Sequence, residues 1–111
     1  MGFKFKVNES TTLVEARKFL EELKNSNVKE LSLNDVRRLL RFLDVEDLPS
    51  KGGSALRFRH GVLCGHPHFL DGIFAIHIKH KGGGQQIISK IDFKAYLYPA
   101  LKQIIELLEK N

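Results

Sequence analysis

The sequence predicts one small α+β domain, on three observations. At 111 residues the chain matches a single folding unit, since independent domains cluster at roughly 100–150 residues. Its residues are 42% hydrophobic and 28% charged, a balance that excludes both a disordered segment and a membrane-embedded chain. The apolar period also changes along the chain, from helical spacing to alternation and back to helical spacing.

Phe3, Phe5 and Val7 alternate with Lys4 and Lys6, which predicts a half-buried edge strand. Thr12 followed by Glu15 has the form of a capping box, in which hydroxyl and carboxylate satisfy free amides at a helix start. Leu13, Ala16, Phe19, Leu20 and Leu23 then repeat as a first helix that stops near Asn25-Ser-Asn27. Ser32 to Asp35 is a second cap, opening a helix with Leu33, Val36, Leu39, Leu40 and Leu43 on its apolar stripe. Arg37, Arg38 and Arg41 lie on its other face, where solvation of the helix is the simpler role.

Pro49-Ser-Lys-Gly-Gly-Ser54 breaks the pattern as a loop. Beyond it, Leu56, Phe58 and His60 share one face of a strand, while Ala55, Arg57 and Arg59 share the other. Phe74, Ile76 and Ile78 point inward from a second strand, leaving Ala75, His77 and Lys79 outward. Paired as an antiparallel hairpin, these strands place Arg57, Arg59, His77 and Lys79 on one surface. Lys81 and Gly82 to Gly84 read as a turn, lacking the Lys-Ser/Thr of a phosphate-binding loop, and Gln85 to Ser89 as a short third strand. Asp92 is a candidate cap for a last helix that pauses or restarts at Pro99, with Leu97, Leu101, Ile104, Ile105 and Leu108 buried. Tyr96 and Tyr98 fit either stacking on bases or a place in the core and its rim.

No run approaches the ~20 apolar residues of a spanning helix, and the first six residues lack the apolar centre of a signal peptide. A cytoplasmic protein without membrane attachment is the expectation, and the single cysteine, Cys64, allows no internal disulfide. Residues 1–50 hold nine Lys/Arg against nine Asp/Glu, whereas residues 51–90 hold six against Asp71 alone. All five histidines, at 60, 66, 68, 77 and 80, fall in that second segment. Cationic and titratable side chains concentrated together point to a polyanionic partner, RNA above all. Cys64, His66 and His68 have ligand chemistry but no second pair of ligands beside them, so neither a metal nor any other cofactor is expected.

From the second helix on, the order helix, strand, strand, strand, helix is that of double-stranded-RNA-binding-like domains. Within it stand Asp35-Val-Arg-Arg-Leu-Leu40, Lys51-Gly-Gly-Ser54, Arg57-Phe-Arg-His60 and Ile76-His-Ile-Lys-His80, followed by a Leu/Ile-rich terminal helix. On these residues the chain resembles the HicA family of toxins from bacterial and archaeal toxin–antitoxin systems, small mRNA-cleaving ribonucleases neutralised by a HicB antitoxin. The resemblance spans Leu33 to Ile105. It implies an α-β-β-β-α domain over residues 33–111, with residues 1–32 as an N-terminal strand–helix extension of one compact unit. It also implies mRNA and a HicB-like antitoxin as partners.

The family's most specific element is Gly-Ser-His at the start of the first hairpin strand, the histidine being catalytic; here the residues are Gly53-Ser54-Ala55. Alanine neither accepts nor donates a proton, so the resemblance implies an endoribonuclease that is inactive as written, through natural loss or through a deliberate His-to-Ala change, which the intact flanking match favours. The implied chemistry is metal-independent attack of a 2′-hydroxyl on the adjacent phosphate. Histidine suits it because a pKa of about 6.5 permits proton transfer both ways at neutral pH. His77 is then a possible second acid–base group, and Lys51, Ser54, Arg57, Arg59, Lys79 and Lys81 are the candidate RNA contacts. His60, with inward parity, is expected to be structural. The alternatives are a non-catalytic RNA-binding domain using the same face, and a module whose basic face meets an acidic protein.

Overall fold

A computed structural model describes residues 7–8, 10–49, 55–80 and 82–110. The strand expected at Phe3 to Val7 therefore falls, apart from Val7, outside the described residues, as do Lys51, Ser54 and Lys81. The architecture is mixed α+β: among the described residues, helices pack with two small antiparallel sheets of three strands each.

Helix α1, Leu13–Asn25, begins where the Thr12 hydroxyl accepts the Glu15 amide at 3.3 Å. It buries Ala16, Phe19, Leu20 and Leu23 and ends at Ser26, whose hydroxyl donates to the Leu23 carbonyl. Strand β1, Glu30–Ser32, was not anticipated from the sequence. Three residues are too few to display a period of two, and only Leu31 of the three is buried. Ser32 then serves twice, as the last residue of β1 and as the cap of α2, Leu33–Phe42, where it accepts the Asn34 amide at 3.2 Å. The division drawn after residue 32 thus falls on a residue shared by two elements.

Helix α2 stops in a Schellman turn: Val45 N–H donates to the Leu40 carbonyl at 2.9 Å and Asp44 N–H to the Arg41 carbonyl at 3.1 Å. Asp44 takes the left-handed conformation this turn demands, with φ 60°. The reversal leads into β2, Glu46–Leu48, a second short strand with no sequence signal of its own. An ion pair between Arg37 and Asp47, at 3.0 Å, fastens α2 to β2.

One sheet has the order β2-β3-β4, with β3 at Ala55–Arg59 and β4 at Ile73–His77. The other has the order β1-β6-β5, with β5 at Lys79–His80 and β6 at Gln86–Ser89. Only Ile78 separates β4 from β5, so one extended run pairs first with β3 and then with β6. The expected three strands are present but divided between two sheets, each completed by one of the short strands. Phe58, Phe74, Ile76, Ile78 and Ile88 carry the sheets' apolar faces into one core with the helices.

The terminal helix starts earlier than Asp92, the residue expected to cap it. Ser89 is the cap, accepting the Asp92 amide at 3.1 Å, so α3, Lys90–Asp92, opens one turn before the expected point. A π-helical segment follows at Phe93–Leu97, then α4 at Tyr98–Glu109. Pro99 gives the physical reason for the irregularity, because it has no N–H for the Ala95 carbonyl and its ring crowds that oxygen in a regular helix. A widened turn, in which Tyr98 N–H reaches back to the Phe93 carbonyl, relieves both.

Helix α4 packs along α1. Between them the Tyr98 hydroxyl donates to Glu21 Oε1 at 2.6 Å, and burial, then that bond, pushes its pKa up to about 12. Lys24 Nζ lies 4.6 Å from the Tyr98 ring centre. At the other end of the helical run, the Lys90 ammonium is buried and donates to the carbonyl and hydroxyl of Ser26, joining α3 to the end of α1. Its removal from water lowers its pKa. Among the described residues no helix is long and apolar enough to cross a membrane.

Candidate nucleic-acid interface

The site is built on the β3–β4 hairpin. Its register sets Ala55 opposite His77, Arg57 opposite Ala75 and Arg59 opposite Ile73. The His60 N–H donates to the Gly72 carbonyl at 3.1 Å, and this fixes the phase of the ladder. Counting back from that bonded pair, Phe58–Phe74 and Leu56–Ile76 exchange hydrogen bonds, whereas Arg57–Ala75 and Ala55–His77 do not. Non-bonded pairs bring their side chains closest, with Cβ atoms about 4.5–5.5 Å apart. Position 55 and His77 are therefore near neighbours on one exposed surface.

Arg57, Arg59 and His77 are exposed, Ala55 is half-buried, and Phe58, Phe74 and Ile76 are buried beneath them. Lys79, beyond the buried Ile78, is exposed as well. The alternation expected of the hairpin is thus observed and brings Ala55, Arg57, Arg59 and His77 onto one face, whereas Lys79 belongs to β5, which pairs with β6 rather than with β3. On the far side of β3, strand β2 places Glu46 opposite Arg59 and Leu48 opposite Arg57. Arg59 is also tied to the frame, its Nε donating to the Asp71 carbonyl at 3.3 Å, with Nη2 3.9 Å from Cys64 Sγ. Arg57 donates through Nη2 to the Pro49 carbonyl at 3.1 Å. A guanidinium has five N–H donors, so both arginines keep donors for an anion.

The remaining histidines lie off the β3–β4 ladder that carries this surface. The His60 Nε2 donates to the Leu43 carbonyl at 2.9 Å while its Nδ1 accepts the Val62 amide at 3.1 Å. Both ring nitrogens are engaged as one neutral tautomer, so the ring is structural. His66 Nδ1 accepts the His68 amide at 3.1 Å within the β3–β4 connection, and that connection buries Leu63 and packs Val62 and Phe69 on the core. His80, exposed in β5, pairs with Gln86. Cys64 is exposed, and among the described residues no three His, Cys, Asp or Glu side chains converge as metal ligands.

Sequence reasoning missed a cleft of about 330 Å³ beside β4, lined in part by His68, Phe69, Ala75, Tyr96 and Pro99. The one available signal was Tyr96 itself, which falls off the apolar stripe of the terminal helix; it is 54% exposed, whereas Tyr98 is buried. No family model, curated protein or solved structure matches the chain. The arrangement can hold a phosphate between cations, but at position 55 it offers only a methyl group, leaving His77 as the one proton-transfer group among the described residues of that face.

Proposed function

We propose that the chain is an RNA-binding protein of the HicA-like mRNA interferase type, with a double-stranded-RNA-binding-like core, and that Ala55 leaves it without ribonuclease activity. The observation that carries this reading is the pairing of Ala55 with His77 on a face shared by Arg57 and Arg59. A histidine at 55 would stand across from a second imidazole, beside cations able to offset charge on the pentacoordinate transition state. The order of α2, then β3, the β4–β5 run, β6 and the terminal helix, with the short β2 inserted after α2, supports the proposed core. A HicB-like antitoxin is the proposed protein partner, covering the same face, in the cytoplasm. The alanine itself favours a second reading, a domain that binds RNA without ever cutting it.

The two readings part on Ala55→His. The toxin reading expects growth arrest on expression and metal-independent RNA cleavage leaving 2′,3′-cyclic ends, while the protein as it stands binds RNA uncut. One proton-transfer group contributes about 10²–10⁴ in rate, so the contrast is large. An Ala55→His protein that folds and binds RNA but neither cleaves it nor arrests growth would leave the binding domain as the function.

A further inference from the structure

The cleft beside β4 carries features that a phosphate-binding face alone does not need. Among the described residues, strand β4 is the edge of its sheet. By the ladder phase derived above, the amides and carbonyls of Ile73 and Ala75 point away from β3, and no other backbone bond engages them among the described residues. They lie where the cleft opens, which is lined by both residues. A peptide N–H and C=O side by side on a strand edge form a donor–acceptor pair that matches the polar edge of a nucleobase.

The walls supply the complementary half. Phe69 is half-buried and packed on the core, so its ring is held in place, and the exposed Tyr96 ring contributes from the helical side. His68 adds a third ring. Flat aromatic surfaces beside edge-directed polar groups are what unstacked bases seek. The cleft also adjoins the cationic face, since Ala75 lines it and stands opposite Arg57. From Ala75 to His77 is two residues of strand, about 7 Å, a separation that a single nucleotide spans.

We infer that this cleft is a subsite for one unpaired nucleobase of single-stranded RNA, stacked against Tyr96 and read by the Ala75 backbone, with its phosphate at Arg57 and His77. The inference rests on the RNA reading above and adds what that reading lacks, a preference for unstacked bases. An added peptide strand suits the place less well. The open edge is short, because β6 pairs with the same run from Lys79 onward and the segment Phe93–Leu97 packs alongside β4. The adjoining Arg57, His77 and Lys79 also favour a polyanion.

The test uses the full chain and a short single-stranded RNA with one internal 2-aminopurine, the same RNA with an abasic site at that position, and a duplex of equal length. The single strand should bind more tightly than the duplex or the abasic strand, with 2-aminopurine fluorescence quenched in the complex. Tyr96→Ala should weaken binding of the intact strand about 5- to 100-fold and leave the abasic strand unchanged, while Tyr96→Phe restores binding. Tyr96 is exposed, so an unchanged melting temperature separates this effect from misfolding. If Tyr96→Ala changes nothing while Arg57→Ala weakens binding, the subsite is overturned and the RNA interface stands. If no RNA binds even at low salt, both fall. An extended peptide that displaces RNA and protects the Ala75 amide from exchange would overturn the nucleobase assignment in favour of strand addition.

Discussion

The two ends of the β3–β4 hairpin hold similar residues and employ them in opposite ways. At the closed end His60 is engaged through both ring nitrogens, Arg59 is bonded to the Asp71 carbonyl, and Gly72 lies beneath the His60 carbonyl. At the open end His77 is exposed without a hydrogen bond or ion pair among the described residues, and its cross-strand partner is Ala55. Both ends belong to the segment where charge and histidine concentrate. Composition marks that segment as special, but only the partners of each side chain tell the histidine that builds the hairpin from the one available to a ligand.

The largest effect that would break this contrast belongs to Gly72. A Cβ there would stand 2.5 Å from the His60 carbonyl oxygen, and the residue has φ +77°, so Gly72→Ala meets both a backbone clash and a strained conformation. A loss of about 3 kcal/mol or more is expected by urea denaturation. Gly61→Ala is the control, since a Cβ at Gly61 meets nothing within 4 Å, and it should stay within about 0.5 kcal/mol of the parent. Equal effects at the two glycines would show that the closed end is not the rigid frame described here.

An intermediate effect is expected at His60. His60→Ala leaves the Leu43 carbonyl and the Val62 amide without their partner, at a cost of about 1–3 kcal/mol, whereas His77→Ala should alter stability by no more than about 0.5 kcal/mol. The order should reverse for RNA affinity once each variant is compared well below its melting temperature. A His60→Ala protein as stable as His77→Ala would erase the distinction between the two histidines.

The hairpin was legible in the sequence because Leu56 and Phe58, and Phe74, Ile76 and Ile78, repeat at spacing two for long enough to define a face. The same rule could not reach β1 and β2. Each is three residues long, and β2 opens with Glu46-Asp47, residue types that strands disfavour. Ser89 was missed as a cap because it also ends β6, while Asp92 has the stronger appearance of one. Pro99 announced a disturbance, but not that a wider turn on its N-terminal side would absorb it. The cleft was invisible for a different reason: its walls come from residues 68–75 and 95–99, joined only by the packing of the helical run on β4.

The finest division of the surface lies between Arg57 and Arg59. Both face outward on the same strand, so charge alone would make them equal contributors to RNA affinity. Their surroundings differ. Arg59 stands across from Glu46 and is bonded to the closed end of the hairpin, whereas Arg57 faces Leu48 and Ala75 and is bonded only to the Pro49 carbonyl among the described residues. Glu46 brings a carboxylate onto the strand facing Arg59, whereas Leu48 and Ala75 face Arg57, and a released counterion contributes to affinity only where a phosphate meets a cation that still attracts ions. Arg57→Ala should therefore reduce the slope of log affinity against log salt by about 1, at a stability cost of about 0.5–1.5 kcal/mol through the lost hydrogen bond to the Pro49 carbonyl. Arg59→Ala should reduce that slope less, at a similar stability cost through its own lost hydrogen bond to the Asp71 carbonyl. Equal slopes for the two variants would mean that the anion spans the whole strand, and the boundary between frame and interface would then move to the His60–Gly72 pair.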